Sequence, residues 1–148
     1  MNRSTPLTLE EFQVRISKIS EVELQDQKQE QKLLILHLVE TNNELNSEIH
    51  QLQTKEVKTK QDQDDIEFYQ ETILENKGVI LDKISRVSAI NDELVARGIL
   101  DETMKSEEEE KLINDVIHKD TTNEEDKRED VIDVPEKPGE DLEEGVYL

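Results

Sequence analysis

The side chains that most often carry chemistry are few in this sequence and are not grouped. Of its 148 residues three are histidines, His37, His50 and His118, and none is cysteine. No histidine has a second one three or four residues away, the spacing that lets two imidazoles on one helix bind the same metal. An isolated histidine on a helix usually packs or faces water, so we predict no metal site.

The carboxylates are numerous, but their setting does not predict acid–base catalysis. The 38 aspartates and glutamates fall on polar helix faces or in the C-terminal third, without the apolar pocket that separates the pKa values of two carboxyl groups. The sequence also has no glycine-rich phosphate loop, no nucleophile elbow and no calcium-loop spacing. We therefore predict no catalytic residue, no cofactor and no enzymatic activity.

The composition limits both the core and the class of partner. Only 32% of the residues are hydrophobic, 38% are charged and the net charge is −20. This charge repels phosphate backbones and anionic lipid, so we expect protein partners and no direct contact with nucleic acid or membrane. The absence of cysteine is typical of a reducing compartment, and the longest apolar run, residues 33–39 broken by His37, is too short to span a bilayer. The N-terminus lacks the apolar region of a secretory signal, and we expect a cytoplasmic and nuclear protein.

Two capping boxes predict where the first helices begin. Thr8 with Glu11, and Ser20 with Glu23, each place a hydroxyl at the N-cap and a carboxylate three residues later. The two boxes predict a short helix over about residues 9–18 and a second helix directly after it. No proline occurs between residues 7 and 134, so nothing in the composition stops the second helix early.

Two apolar seams at spacings of three and four predict that the long helices fold back on each other. The first seam follows a helix over about residues 21–57, and the second a helix over about residues 64–97 with Gly98 as its C′ residue. Opposing residues would have numbers that add to about 122, and apolar meets apolar at four such rungs: Leu52 with Tyr69, Ile49 with Ile73, Leu38 with Ile84, and Ile35 with Val87. We predict an all-α fold, an antiparallel coiled-coil hairpin preceded by a short helix.

Asn42 and Asn91 interrupt the two seams. A buried asparagine can fix the register of a coiled coil, whereas an asparagine at the edge of a narrow seam faces water. We favour the edge position for Asn91, and less strongly for Asn42.

The charge distribution divides the chain near Gly98. Residues 101–148 hold 19 acidic and 6 basic side chains, too much charge and too few apolar residues for independent folding. We predict a helical domain over residues 1–98 and a mostly disordered acidic tail over residues 99–148. Leu112, Ile113, Val116 and Ile117 indicate one short amphipathic helix in that tail, over about residues 105–118, either nascent or docked.

Leu33 and Leu36 make the first long helix more apolar than a hairpin seam requires, and Val22 lies along the same second stripe. Two explanations are open. The short N-terminal helix could fold back and cover Leu33 and Leu36, which we slightly favour, or a foreign helix could dock there.

Phe68 and Tyr69 are a second candidate surface. One of two adjacent aromatic residues must point away from the seam, and exposed aromatics often anchor interfaces. We therefore predict five partner-binding residues: Val22, Leu33, Leu36, Phe68 and Tyr69.

Three stretches of the sequence carry a family resemblance. LEEFQVRISKISEVELQDQKQE, HLVETNNELNSEIHQL and FYQETILENKGVILDKISRVSAINDEL resemble, in order and spacing, a fungal family of ATPase-dedicated proteasome assembly chaperones, also called translation machinery-associated proteins. The resemblance covers roughly residues 9–95. It implies a stress-responsive chaperone that uses neither nucleotide nor metal and binds the N-terminal region of one AAA ATPase subunit of the proteasome regulatory particle, the sixth in yeast nomenclature. Binding would promote pairing of that subunit with the third during base assembly.

The last three residues and the general architecture leave two further hypotheses. Val146, Tyr147 and Leu148 look like the C-termini that proteasome activators insert into pockets of the core particle, and we predict a C-terminal docking motif there. A coiled-coil adaptor or tether, or a ribosome-associated factor without a chaperone role, is the alternative function, because a helical hairpin by itself does not identify its partner.

Overall fold

The computed structural model of the chain describes residues 7–119, and these form four α-helices and no strand. The helices are α1 (Leu9–Ile16), α2 (Glu21–Gln53), α3 (Lys60–Ala96) and α4 (Glu102–Lys119). α2 and α3 pack antiparallel along their lengths, while α1 lies against α3, and α4 contacts both long helices. The predicted all-α fold with an antiparallel helical hairpin is confirmed.

Each of the first three helices begins with a capping box. The hydroxyls of Thr8, Ser20 and Thr59 accept hydrogen bonds from backbone N–H groups three residues later, at 3.1, 3.2 and 3.0 Å. The first two boxes confirm the sequence prediction. The third, Thr59 with Asp62, was not predicted, and the predicted helix ends beside it are wrong. α2 ends at Gln53 and not near residue 57, and α3 begins at Lys60 and not near residue 64.

Asp62 organises the turn between the long helices. One of its carboxylate oxygens accepts hydrogen bonds from the Lys55 side chain at 2.8 Å and from the Thr59 backbone N–H at 2.9 Å. The bond from Lys55 is the largest of the causes that lower the pKa of Asp62 from its ordinary value, and the bond from the Thr59 backbone is the next. The turn therefore falls at residues 54–59, where the sequence is charged and has no apolar periodicity to indicate it.

The core is divided into three clusters along the hairpin. The cluster around α1 contains Phe12, Ile16, Leu24, Ala89, Ile90 and Leu94. The middle cluster contains Ile35, Val39, Ile80, Val87 and Leu112. The cluster nearest the turn contains Ile49, Ile66 and Ile73.

The predicted rungs of the hairpin fall within these clusters. Ile35 with Val87 and Leu38 with Ile84 belong to the middle cluster, and Ile49 with Ile73 and Leu52 with Tyr69 belong to the cluster nearest the turn. Polar contacts across the pair, such as the Asn76 amide donating to the Asn42 side-chain oxygen at 2.9 Å, join residues whose numbers add to slightly less than the predicted 122. The difference follows from the earlier position of the turn.

Gly98 ends α3 as predicted. Its φ is +77°, the left-handed conformation that glycine adopts without steric cost. The N–H of Gly98 donates to the Val95 carbonyl, and the N–H of Ile99 donates to the Leu94 carbonyl, both at 2.9 Å. These two bonds form a Schellman motif, which satisfies carbonyls at the helix end and turns the chain towards α4.

α4 is longer than the helix predicted over about residues 105–118, and of the two forms left open, nascent or docked, it takes the docked one. It spans 18 residues rather than the short segment expected, begins after Asp101, whose carboxylate accepts from the Met104 N–H at 2.8 Å, and docks on the hairpin. Leu112 is buried in the middle cluster and Val116 packs against it. The packed helical body therefore continues past Gly98 to Lys119, because Leu112 and Val116, two of the apolar residues that predicted this helix, pack in the middle cluster.

Candidate functional site

The described residues do not assemble a recognisable chemical centre. Within residues 7–119, no group of three or more histidine, cysteine, aspartate or glutamate side chains could hold a metal ion. His37 and His50 are exposed on α2, and the His118 ring lies 2.7 Å from the Asn114 carbonyl of its own helix. In the same part of the chain, no helix is long and apolar enough to cross a membrane.

A polar network lies where α2, α3 and α4 meet. The Lys28 ammonium donates to the Asn91 side-chain oxygen at 2.9 Å and to Glu108 at 3.1 Å, and the Asn91 amide donates to Glu109 at 3.1 Å. Asn91 is fully buried, so the predicted edge position for this residue is wrong. Each member of the network has a partner on another helix, which indicates that the network positions α4.

Lys105 extends this network along α4. Its ammonium lies 3.2 Å from Glu109 and 3.4 Å from Asp92 of α3. Burial acts to lower the pKa of Lys105, but the hydrogen bonds and charges of Glu109 and Asp92 outweigh burial and raise the pKa above its ordinary value. Lys105 therefore remains charged and contributes to docking.

Arg86 of α3 and Arg97, the C-cap residue that follows α3, hold α1 in place. The Arg97 guanidinium donates to the carbonyls of Ile16, at 3.2 Å, and Ile19, at 2.8 Å, at the end of α1 and in the following link. The Arg86 guanidinium donates to the Leu7 carbonyl and lies 5.1 Å from the centre of the Phe12 ring, a cation–π contact. α1 is thus fixed to α3 at both of its ends.

α1 does not pack where the internal explanation placed it. Phe12 and Ile16 contact the cluster formed with Leu24 and the end of α3. Leu33 remains 58% exposed. The explanation in which α1 covers Leu33 is therefore wrong. α3 has a second apolar face, on which α1 packs. Ala89 and Ile90, which are not among the predicted rungs of the hairpin, could have indicated this face from the sequence.

The five predicted partner-binding residues divide into exposed and packed positions. Val22 and Phe68 are 70% and 63% exposed, and Leu33 is exposed as well. Leu36 is half-buried. Tyr69 packs against the cluster nearest the turn, so Phe68 is the aromatic residue that points away from the seam.

A groove of about 1300 Å³ runs between α1 and the hairpin, and we call it the α1 groove. Its apolar lining contains Leu7, Phe12, Ile16, Ile19, Leu33 and Val79. Its charged lining contains Arg15, Glu23, Asp26, Glu30, Glu75, Asp82, Lys83 and Arg86. The groove therefore combines an apolar floor with a predominantly acidic rim.

Leu33 lines the α1 groove, and Phe68 lies beyond the groove on the same side of α3. Phe68, Glu75 and Asp82 are spaced seven residues apart on α3, so they lie along one side of that helix. Glu75 and Asp82 line the groove. Phe68 therefore continues the groove side of α3 towards the turn. Val22 likewise lies three helical turns before Leu33 on the same side of α2.

Comparisons with family models, with curated proteins and with solved structures found no match for the chain. The predicted docking motif at Val146, Tyr147 and Leu148 lies outside the described residues and stays a prediction. Among the described residues, the α1 groove is the candidate surface, with the exposed residues Val22 and Phe68 beside it.

Proposed function

We propose that the chain is an assembly chaperone. It binds the N-terminal region of one AAA ATPase subunit of the proteasome regulatory particle, the sixth in yeast nomenclature, and promotes pairing of that subunit with the third during base assembly. The identity of the partner comes from the family resemblance of residues 9–95. The observation that carries a binding role is the open apolar groove with an acidic rim on a rigid helical hairpin.

The physical features of the chain support temporary binding of a helical segment. Helix-in-groove recognition needs an apolar channel beside packed helices, and the α1 groove supplies one. The exposed apolar residues on this side are few and are surrounded by charged groups. A modest apolar area with a polar rim suits a partner that must later be released. The chaperone would shield the ATPase helix until the neighbouring subunit arrives.

Affinity capture tests this function. The tagged full chain is isolated from cells under proteasome stress, and its co-purifying proteins are identified by mass spectrometry. We expect the free sixth ATPase subunit, and its pair with the third, without mature proteasome particles. Recovery of ribosomal subunits or membrane-coat proteins in their place would support the adaptor, tether or ribosome-associated alternative and would exclude the chaperone role.

The C-terminal motif is tested separately. We expect deletion of Val146, Tyr147 and Leu148 to reduce binding to the proteasome core particle, measured by co-sedimentation of purified components. Unchanged binding would remove the docking motif from the proposal and would leave the ATPase interaction standing.

A further inference from the structure

We propose that the α1 groove binds one amphipathic helix with basic flanks, and that this helix lies along α2 and α3 in line with α1. The inference deepens the proposed function, on which the expectation of a helical partner rests. It assigns the binding site to a defined face of the hairpin and states the chemistry of the segment that fits it.

Exposed apolar side chains lie along the α1 groove. Leu33 on α2 and Val79 on α3 are 58% and 40% exposed, and both line the groove. Phe12 and Ile16 close one end of the floor, and Phe68 follows on the same side of α3 towards the turn. From Phe68 to Arg86 the α3 axis advances about 27 Å, the length of a helix of about 18 residues.

The side of α3 that carries α1 is only partly covered. α1 has eight residues and α3 has 37, so α1 covers only one end of the side of α3 on which it lies. The remainder of this side, from Asp82 through Glu75 to Phe68, is open. A helix placed there would continue the position that α1 occupies and would complete a three-helix packing arrangement with α2 and α3.

Gly78 leaves the backbone of α3 uncovered inside the groove. It lies inside α3 and lines the groove, although glycine costs about 1 kcal/mol relative to alanine within a helix. A Cβ atom added at Gly78 would meet nothing within 4 Å, so no contact inside the described structure requires glycine here. A missing side chain lets a second helix approach the backbone of α3 closely.

The unpaired carboxylates of the groove indicate the charge of its occupant. Asp26, Glu30 and Glu75 line the groove together with one unpaired cation, Arg15, and none of these four side chains forms an ion pair within residues 7–119. Arg86 and Lys83 both lie beside Asp82, at 2.8 and 4.0 Å. The three carboxylates without a cationic partner would attract lysine or arginine on the flanks of a bound helix. A second copy of this chain, with its net charge of −20, would be repelled.

The direct test uses the full chain and a synthetic peptide. A fluorescently labelled peptide of about 18 residues, with leucines at i, i+3, i+4 and i+7 spacing and lysines on both flanks, is titrated by fluorescence anisotropy. We expect saturable binding that weakens as sodium chloride is added. A matched peptide with glutamates in place of the lysines should not bind. Equal binding of the two peptides would overturn the inference.

Matched substitutions locate the apolar contact. We expect Leu33→Ser with Val79→Ser to weaken binding about ten-fold or more, because both side chains would be covered by the bound helix. The control is Leu74→Ser with Leu81→Ser, two leucines of α3 that are 71% and 66% exposed and do not line the groove. This control should leave affinity within about two-fold. Equal losses in the two pairs would place the peptide elsewhere.

A second set of substitutions tests the acidic rim. Asp26→Asn, Glu30→Gln and Glu75→Gln together should weaken binding of the lysine peptide and flatten its salt dependence. The control triple is Glu67→Gln, Glu107→Gln and Glu110→Gln, three exposed glutamates outside the groove. Both triples remove the same charge, so an equal effect would indicate non-specific attraction and would overturn the inference.

Gly78→Gln separates loss of binding from loss of folding. Glutamine is the better helix former, so the variant should be at least as stable in thermal unfolding. Its side chain would occupy the open space above Gly78, and we expect it to weaken peptide binding about ten-fold. Unchanged affinity would show that the partner does not approach α3 at this position.

Two outcomes distinguish this inference from the proposed function. If Leu33→Ser with Val79→Ser leaves capture of the ATPase subunit unchanged, the groove is not its binding site and only the inference fails. If the lysine peptide binds in the groove but no ATPase subunit is captured, only the proposed function fails. Sedimentation of the free chain as a dimer that Leu33→Ser dissociates would identify a second copy as the occupant and would overturn the inference.

Discussion

Lys28 and Asn91 place an ammonium group and an amide inside a contact of three helices. Burial of such groups is unfavourable unless they form hydrogen bonds, and here Lys28 donates to both Asn91 and Glu108. Asn91 in turn donates to Glu109. The pairing satisfies the buried groups and favours one position of α4, because a displaced α4 would leave Lys28 and Asn91 without these partners.

We expect Asn91→Ala to lower the free energy of unfolding by about 2–3 kcal/mol, because the substitution leaves the Lys28 ammonium without its buried acceptor. Urea denaturation followed by circular dichroism measures the change. Asn114→Ala, at an exposed position of α4, controls for the gain in helix propensity and should change stability by less than about 0.5 kcal/mol. Similar values for the two variants would show that the Lys28 contact adds no stability.

Asp62 makes stability depend on pH at the turn. Hydrogen bonds from Lys55 and Thr59 lower its pKa below the ordinary value of 3.8. The stabilisation is therefore complete above about pH 4, where the unfolded-state carboxyl is ionised, and is lost as the pH falls through the lower folded-state pKa. We expect Asp62→Asn to be less stable than the parent chain at pH 7, with the difference shrinking below about pH 4. A difference that is constant from pH 7 to pH 3 in urea titrations would contradict this assignment.

At the scale of elements, α1 and α4 lie against different sides of one hairpin. α1 is held by Phe12, Ile16 and two arginines in and directly after α3, whereas α4 is held by Leu112, Val116 and the polar network. Each has a narrow apolar contact and a set of hydrogen bonds. Either helix can therefore open locally at a smaller cost than unfolding of the hairpin.

We expect Leu112→Asp to undock α4, because it puts a carboxylate among Ile35, Val39, Ile80 and Val87. Hydrogen exchange should then accelerate in α4 and change little in α2 and α3. Ile113→Asp is the matched control, since Ile113 is 43% exposed on the same helix. Fast exchange of α4 in the control as well would mean that α4 docking does not depend on Leu112.

At the scale of the whole molecule, a net charge of −20 opposes compaction. Among the ion pairs of the described residues, Lys60 with Asp64 and Lys111 with Asp115 are exposed at both partners, and such pairs contribute little to stability. Half-buried pairs such as Lys28 with Glu108 and Arg97 with Glu93 are screened less by salt. Salt therefore acts mainly on the mutual repulsion of the excess carboxylates.

We expect the thermal midpoint of unfolding to rise by several degrees between about 20 mM and about 500 mM sodium chloride, because salt screens this repulsion. Circular dichroism at 222 nm measures the midpoint. Sucrose at equal osmolality separates screening from a general effect of cosolute. A midpoint that falls with salt would mean that attractive ion pairs outweigh the repulsion.

The sequence predicted the helices better than their packing. The capping boxes at Thr8 and Ser20 and the glycine after α3 are local patterns, and all three occur where they were predicted. The third box uses Asp62, a shorter side chain than the usual glutamate or glutamine, in a stretch without apolar periodicity. Its start was consequently missed, and with it the position of the turn.

The candidate site was predicted only in part. Leu33, Val22 and Phe68 were named because each is apolar and lies off its seam, and all three are exposed. Their binding role stays a prediction. Val79 and Gly78 were not predicted as site residues, because their role follows only from their position in the groove beside Glu75 and Asp82. Leu36 and Tyr69 are partly buried, a distinction that depends on neighbouring helices and not on the residue itself.

The sequence alone determined the helical class, the starts of α1 and α2, and the antiparallel pairing of the long helices, because hydrogen bonds within a few residues and repeated apolar spacing fix these features. Only the tertiary structure decided that α1 packs on α3, that Asn91 is buried and that α4 docks on the hairpin. Each depends on residues far apart in the chain, such as Phe12 with Ile90 or Lys28 with Glu108. A helix with several apolar positions can bury more than one face. Which face is buried depends on the packing of all the helices together.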